Sequence, residues 1–230
     1  MSDESRPRAD SGSARLEAFS DAVFGFAATL LVVALEVPST FAELEGVLRG
    51  FAPFSLSFGT LILIWSVHHA FFRRFPMTDR VTVALNSCLL FVVLFYVYPL
   101  KFLARSIAAM FLGSGVAGGA TIASLAELGR LFAWYGAGFA ALFLCFVLLY
   151  AHGARRAGAL GLPAQARDEA IFLARHYAIF VFVAGLSIVL ALTGIGLTVA
   201  LPGWIYSLIG PLCGVHGAWH ARHRAATGRR

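Results

Sequence analysis

The sequence predicts an all-α integral membrane protein with six transmembrane helices per chain. Hydrophobic residues make up 59% of the 230 residues and charged residues only 13%, whereas soluble domains carry about 25% charged residues. The mean hydropathy of +0.80 agrees with a membrane class. The apolar runs are long, and they lack the alternating segments of about 10 residues that build a transmembrane β-barrel.

The apolar runs divide the chain into three parts. Residues 1–14 are rich in Ser, Asp and Arg and are predicted to be a disordered cytosolic tail. Residues 15–220 hold the six spans, and residues 221–230 form a basic cytosolic tail. The predicted spans lie at about 16–37, 47–72, 80–103, 125–151, 169–193 and 197–220. A Gly, Ala and Ser stretch from Gly113 to Ser124 is predicted to be a loose extracellular loop.

The basic residues predict the orientation of these spans. In a six-span arrangement, 14 of the 18 basic residues fall on the side that holds both termini and 4 on the other side. By the positive-inside rule, both termini are cytosolic, in a multi-pass protein of the cell inner membrane or plasma membrane. The net charge of +6 is then a topology signal, and nucleic acid is not expected as a partner.

Nothing in the sequence indicates an enzyme. Three cysteines lie inside apolar runs without paired spacing, so neither a disulfide framework nor a zinc site is predicted: Cys88, Cys145 and Cys213. No nucleophile and base pair, two-carboxylate site or phosphate-binding loop stands out. We therefore predict no catalytic residue, no metal ligand and no cofactor.

The first span carries polar groups that a simple anchor would not need. From Leu16 to Val37 a helix would extend about 33 Å, enough to cross about 30 Å of hydrocarbon. Acidic and hydroxyl groups nevertheless occupy its two ends: Glu17, Ser20, Asp21 and Glu36. Because a carboxylate in lipid costs several kcal/mol, we expect this helix to line a polar path or to grip its neighbours.

These groups lie on different faces of the helix. At about 100° per residue, one apolar stripe contains Phe19, Ala22, Phe26, Leu30, Val33 and Val37. Ser20 and Asp21 point about 120–140° away from Phe26. Gly25 follows one turn after Asp21, where the missing side chain would let another helix come close. Asp21 is therefore expected to face protein and not lipid.

Polar residues of the next two spans are the candidate partners. Trp65, His68 and His69 share one helix face through i, i+3 and i+4 spacing, and Asn86 lies in the third span. Together with Arg15, Ser20 and Asp21 they could form a structural network that satisfies each polar group. A proton relay or a metal site that uses His68, His69 and Asp21 are the alternatives, although no His-Glu-x-x-His spacing supports a metal.

One set of residues in the first three spans carries a resemblance to a known family: Arg15, Phe19, Ser20, Asp21, Trp65, His68, His69 and Asn86. Their pattern, Arg-x-x-x-Phe-Ser-Asp followed by Trp-x-x-His-His and Asn, resembles the transmembrane protein 175 family of potassium channels, in its bacterial single-repeat form. The resemblance covers all six spans. It implies a homotetramer in which the first helices of four subunits line a pore for monovalent cations. It also implies a pore without the Thr-Val-Gly-Tyr-Gly filter of ordinary potassium channels, and this sequence contains no such filter.

The resemblance also implies where the pore is narrowest. Phe26 stands where the family usually has an isoleucine, and Leu30 and Val33 would supply the following apolar rings. An apolar ring of this kind blocks ions by dewetting and conducts when it widens. Thr29 and Glu36 are candidate polar groups beside the pore, although Thr29 could instead bond to its own helix and Glu36 could lie at the surface. The predicted function is passive K⁺ flux, with a proton channel or a proton-coupled transporter as the alternative.

Overall fold

The computed structural model of the chain describes residues 7–33, 38–112, 122 and 124–227. Within these ranges all regular secondary structure is helical, and no strand is assigned. The predicted all-α class is therefore confirmed for the described part of the chain. The chain divides into two compact units, Met1–Thr121 and Ile122–Arg230.

The described part of the first unit contains four helices: α1 (Pro7–Val33), α2 (Phe41–Arg49), α3 (Phe51–Arg74) and α4 (Arg80–Leu112). Local capping fixes two of the helix starts. Thr40 and Glu43 form a reciprocal capping box at the start of α2. The Asp79 carboxylate accepts hydrogen bonds from the backbone N–H groups of Val81 and Thr82 at the start of α4.

Helix α1 is longer than the apolar pattern predicts. It begins at Pro7, so residues 7–14 of the predicted disordered tail are helical. Proline suits the first position of a helix, because the N–H that it lacks would have no helical partner there. Ser13 is buried, and a Cβ added to Gly12 would lie 3.4 Å from the Thr78 methyl in the α3–α4 connection. Packing of this kind explains why the helix continues beyond the apolar segment.

Helix α2 was not predicted. The sequence indicated a short connection between the first two spans and a second span from residue 47. The structure instead ends α2 at Gly50, whose N–H donates to the Gly46 and Val47 carbonyls, and begins α3 at Phe51. The capping box defines the start of α2, and Gly50 ends the helix with a φ of −72°, in the right-handed region.

The core of the first unit lies between α1, α3 and α4, which contact one another pairwise. The buried face of α1 contains Phe24, Ala27 and Leu31, and each of these side chains is at most 5% exposed. Phe71 of α3 and Leu89 of α4 are fully buried against this core. One face of α1 is thus committed to packing within its own chain.

The second unit is built on two long helices, α5 (Leu125–Arg156) and α6 (Ala164–Thr193), which pack extensively against each other. Ser124 caps α5 by accepting a hydrogen bond from the Glu127 N–H at 3.2 Å. Gly194 ends α6 in the left-handed conformation, with φ of 75°, which glycine adopts without a steric cost.

The C-terminal region differs from the predicted continuous span at 197–220. The structure contains a 3₁₀ turn (Leu197–Val199), α7 (Leu201–Trp204), a second 3₁₀ turn (Ile205–Leu208) and α8 (Ile209–Thr227). Pro211 has no N–H to donate to the carbonyl four residues earlier, which favours the tighter turn before it. Ala200 has a positive φ of 53°, which interrupts a helix. The predicted sixth span is therefore not one regular α-helix within the described residues.

Four helices of the described residues are long and apolar enough to cross a membrane: α3, α4 over Arg80–Ala109, α5 and α6. The multi-pass membrane class is therefore confirmed, whereas the first and sixth spans stay predictions. The predicted loop at 113–124 lies outside the described residues except for Ile122 and Ser124. The last three residues of the predicted basic tail lie outside them as well.

Candidate functional site

A chain of buried hydrogen bonds joins α1, α3 and α4. The Asn86 side-chain amide donates to the Ser20 hydroxyl at 2.9 Å, and His68 Nε2 lies 2.8 Å from Asn86 Oδ1. Each of the three side chains is 0% exposed. The structure thus brings together three polar residues that the sequence places on three different predicted spans.

The direction of each hydrogen bond follows from the donor inventory of the groups. The amide nitrogen of Asn86 faces Ser20, so its oxygen is left to accept, and His68 Nε2 must carry the donated proton. Ser20 donates its own proton to the Leu16 carbonyl at 2.9 Å. The other ring nitrogen, His68 Nδ1, is buried and has no hydrogen-bond partner in the described part of the chain.

Aromatic side chains enclose the His68 ring. The ring centroid of Phe24 lies 5.4 Å from that of His68, and the ring centroid of Phe72 lies 4.7 Å from it. Phe24 belongs to α1 and Phe72 to α3, so the same contacts that bury the imidazole also hold the two helices together. An apolar enclosure strengthens each hydrogen bond inside it and raises the cost of leaving a polar group unpaired.

A second set of contacts lies beside this buried chain. The indole N–H of Trp65 donates to the Asp21 carboxylate at 2.8 Å, and the Trp65 ring stacks on His69 at a centroid distance of 5.4 Å. His69 Nδ1 lies 2.9 Å from Glu17 Oε1, a contact that becomes an ion pair when the imidazole is protonated. Two carboxylates of α1 therefore meet two aromatic side chains of α3.

The structure differs from the predicted partners in two respects. Glu17, and not Asp21, contacts a histidine, although Glu17 was not predicted to belong to the network. Its position four residues before Asp21, on the same helix face, is the signal that could have found it. Arg15 is exposed on α1 and makes no hydrogen bond or ion pair within the described residues. Phe19 is 61% exposed and also lies apart from the network.

The opposite side of α1 is exposed. Phe26 is 57% exposed, and Ala22 and Thr29 are also exposed. Leu30 is only half-buried, so it stands at the edge of this face. Thr29 donates its hydroxyl proton to the Gly25 carbonyl at 3.0 Å, which is the local bond predicted as the alternative to a pore-facing hydroxyl. The side chain of Val33 and all of Glu36 lie outside the described residues.

The exposed face of α1 also includes Gly25. A Cβ added to Gly25 would meet nothing within 4 Å, so the close helix approach predicted at this residue does not occur within the described part of the chain. On the buried face, by contrast, α1 contacts both α3 and α4. The helix is therefore fully packed on one side and open on the other.

A contact at the other end of α1 was not predicted. The ammonium group of Lys101 on α4 donates to the Leu31 carbonyl at 3.1 Å. Leu31 lies near the C-terminal limit of the described part of α1, and its carbonyl oxygen has two lone pairs that can accept hydrogen bonds. Lys101 and Arg105 also line a small cavity of about 30 Å³ where α1, α3 and α4 meet. The structure thus holds α1 against its own unit at two places, around Ser20 and again at Leu31.

The chemistry available to this arrangement is limited. Among the residues that the structure describes, no group of three or more His, Cys, Asp or Glu side chains is placed to hold a metal ion. The hydrogen bonds of the network each match a donor to an acceptor. Two buried ring nitrogens, His68 Nδ1 and His69 Nδ1, make no hydrogen bond within the described residues, although His69 Nδ1 lies 2.9 Å from Glu17 Oε1. The network is therefore suited to hold α1 in a fixed orientation.

The similarity to known proteins includes the part of the chain that contains the network. The family model described as the endosomal/lysosomal potassium channel TMEM175 matches residues 15–96, the segment that contains the network. A protein named as a potassium channel from Marivirga tractuosa is 42% identical over 144 residues, which cover 59% of this chain and 57% of that protein. A potassium channel from Chamaesiphon minutus is 34% identical over 103 residues, 41% of this chain and 51% of that protein. The chain spans about half the length of the curated relatives that it matches.

Solved structures extend the similarity to most of the chain. The crystal structure of a single-residue variant of the potassium channel MtTMEM175, in complex with a nanobody-MBP fusion protein, is 34% identical with a TM-score of 0.79 and covers 90% of this chain and 93% of that one. A lysosomal potassium-selective channel TMEM175 homolog from Chamaesiphon minutus has a TM-score of 0.54 at 24% identity, over 86% and 98%. The second comparison supports the fold alone. From the first comparison and the family match, the chain belongs to the TMEM175 family of potassium channels.

Proposed function

We propose that this protein is a potassium channel in which four copies surround a pore lined by α1. The named relatives are potassium channels, and the proposal extends that function to this chain. K⁺ would pass passively, and the protein would need no cofactor. The proposed channel domain comprises residues 15–220, as the sequence predicts.

The observation that carries the proposal is the two-sided character of α1. Its buried side contributes Ser20, Phe24 and Ala27 to the core of the first unit, where they are at most 5% exposed. Its other side leaves Phe26 57% exposed. A helix that is held firmly by its own chain and keeps an open apolar stripe can present that stripe to copies of itself around an axis.

The proposed constriction is formed by Phe26, with Leu30 and Val33 as the following rings. Four phenyl rings around a narrow axis would exclude water, and a small widening would restore hydration and conduction. The exposure of Phe26 supports its place at the axis, whereas Leu30 is half-buried. Thr29 is exposed between them, and because its proton is donated to Gly25, its oxygen would act on a dehydrating cation as an acceptor.

The proposed topology has six spans with both termini in the cytosol of a plasma membrane or inner membrane. The charge asymmetry of 14 to 4 basic residues supports this orientation. In such a channel Glu36 would lie at the outer mouth, where four carboxylates would concentrate cations. This acidic ring belongs to the proposal and depends on assembly as a tetramer.

The test is ion flux in liposomes that contain the purified full chain. A K⁺ gradient should drive passive flux that follows the membrane voltage, and an equal Na⁺ gradient should drive less. Cross-linking or mass measurement of the detergent-solubilised protein should give four chains. Uptake of a second solute driven by a pH gradient would favour a proton-coupled transporter, H⁺ flux without K⁺ flux would favour a proton channel, and ion-tight liposomes would favour a non-conducting scaffold.

A further inference from the structure

A cavity of about 250 Å³ lies between α5 and α6, near the ends joined by the loop from residue 157 to 163. Three arginines surround it: Arg155 in the last turn of α5, and Arg167 and Arg175 on α6. The rest of the lining is apolar and consists of Ile171 and small side chains: Ala151, Ala154 and Ala174. The cavity therefore combines a cationic rim with a narrow apolar floor.

Within the described part of the chain, the three guanidinium groups have no acidic partner. Among the described residues that line the cavity there is no carboxylate, and Asp168 lines the neighbouring cavity. None of the three arginines makes a hydrogen bond or an ion pair within the residues that the structure describes. The three arginines are exposed side chains on the lining of one cavity. Like charges repel one another, so a bound anion would lower the energy of the site. The fork of N–H donors on arginine matches the oxygens of a phosphate group.

The position of the cavity indicates where this anion comes from. Both α5 and α6 are long and apolar enough to cross a membrane, so their ends lie close to its surface. A neighbouring cavity of about 300 Å³ shares Ile171 and Arg175 and is also lined by Trp219, which is 51% exposed. Tryptophan is enriched at the boundary between lipid and water. The apolar floor of alanines would face an acyl chain and gives nothing to a free phosphate ion.

We propose that this cavity binds the phosphate headgroup of an anionic membrane lipid, with Arg155, Arg167 and Arg175 as its ligands. The headgroup oxygens accept hydrogen bonds from the three guanidinium groups, and the first carbons of the acyl chains pack on Ala151 and Ala154. Basic cavities between membrane helices on the cytosolic side are suited to such lipids. The proposed lipid site lies in the second unit and does not depend on whether the protein conducts K⁺.

The experiment counts lipids that remain on the full-length protein during native mass spectrometry. The protein is mixed with phosphatidylglycerol, phosphatidylcholine or inorganic phosphate at matched concentrations. We expect retention of phosphatidylglycerol above phosphatidylcholine. Each of Arg155→Gln, Arg167→Gln and Arg175→Gln should weaken that retention roughly fivefold, which is the effect expected when one basic side chain is removed from a membrane surface.

Arg156→Gln is the matched control, because Arg156 is an exposed arginine in the same last turn of α5 but does not line the cavity. Its retention of phosphatidylglycerol should equal that of the unmodified protein. An equal decrease in Arg156→Gln would mean diffuse surface attraction and would overturn the proposal. Thermal melts of the same protein distinguish a lipid from a free ion. If inorganic phosphate raised the melting temperature as much as phosphatidylglycerol does, the anion would not have to come from a lipid, and the proposal would be overturned. If the unmodified protein retained phosphatidylglycerol and phosphatidylcholine equally, the cavity would not be an anionic lipid site. This result does not depend on whether the variants fold.

Discussion

The amide nitrogen of Asn86 donates a 2.9 Å hydrogen bond to the hydroxyl of Ser20, and both side chains are fully buried. The two residues are 66 positions apart and belong to α4 and α1. Because Asn86 also accepts from His68 on α3, one side chain connects all three helices. One amide therefore couples α1 to both of its neighbours, because its nitrogen donates to Ser20 and its oxygen accepts from His68.

Ser20→Ala should lower the thermal stability of the first unit. The Ser20 oxygen is the acceptor of the Asn86 amide, and its removal leaves a buried N–H unpaired, at a cost of about 1–3 kcal/mol. Ser66→Ala is the matched control, because Ser66 also donates to a carbonyl of its own helix but is exposed. Thermal melts of the two purified variants in detergent should separate them, and equal melting temperatures would show that the Asn86 bond contributes nothing.

Trp65→Phe should weaken the attachment of α1 to α3 more than Asp21→Asn does. The first change removes the indole donor that contacts Asp21 at 2.8 Å, whereas an asparagine oxygen could still accept from it. A double-mutant cycle with Trp65→Phe and Asp21→Ala should give a coupling of about 0.6 kcal/mol, the average found for hydrogen bonds between membrane helices. The coupling is measured as the departure from additivity of the unfolding free energies.

Trp134 supplies the control for this cycle. It is 72% exposed and lies in the second unit, so Trp134→Phe combined with Asp21→Ala should be additive. A coupling of zero for Trp65 and Asp21, with Trp134 also additive, would contradict a stabilising role for the indole bond.

Much of the network could be predicted because polar groups inside a membrane need partners. Few such groups occur in the first three spans, so the sequence leaves Ser20, Asn86 and His68 a short choice of neighbours. The choice between Glu17 and Asp21 as the partner of a histidine could not be predicted. Both carboxylates lie on one face of α1, and side-chain rotamers decide which of them reaches the ring.

The fold was also predictable from the sequence in some parts and not in others. Long apolar runs predict where helices lie, because a membrane requires every backbone group to be paired within the segment. The hydropathy of an apolar run does not reveal where the helix within it is interrupted, and the C-terminal region is an example. The predicted span from 197 is apolar, yet Gly196 with φ of 71° and Ala200 with φ of 53° flank a 3₁₀ turn before α7, in whose first turn Pro202 lies. Only the backbone preferences of these residues carry that information.

Phe26→Ala should raise K⁺ flux several-fold in liposomes, and Leu30→Ala should raise it less. Phe26 is 57% exposed on the open face of α1, and removing its ring widens the proposed constriction enough to admit water. Leu30 is half-buried, so part of its side chain is turned away from the axis. Flux is measured per reconstituted channel with a K⁺-sensitive dye.

Phe182→Ala controls for the removal of an exposed phenyl ring, because Phe182 is 67% exposed on α6 in the second unit. Its flux should match that of the unmodified protein. If Leu30→Ala raised the flux and Phe26→Ala did not, the constriction would lie at Leu30. Unchanged flux in both variants would show that the gate does not lie on this apolar stripe.

Lys101→Met should loosen the last turn of α1. Its ammonium group donates to the Leu31 carbonyl at 3.1 Å, and the absence of that bond should lower stability by about 1 kcal/mol. Backbone hydrogen exchange of residues 29–33 should become faster. Arg105→Met removes a charge from the lining of the same cavity without removing this bond, so faster exchange in both variants would assign the effect to charge alone.

Gly129→Ala should destabilise the second unit, because α5 and α6 approach each other at this glycine. An added Cβ would lie 2.9 Å from the Ala191 carbonyl oxygen, which is backbone and cannot rotate away, so the helices must separate at a cost of about 1–3 kcal/mol. Gly185→Ala on α6 is the matched control, since a Cβ there meets nothing within 4 Å. Alanine should stabilise that position by about 0.5–1 kcal/mol through its higher helix propensity. Thermal melts should therefore move in opposite directions for the two variants, and a shared direction would contradict the close packing of α5 on α6.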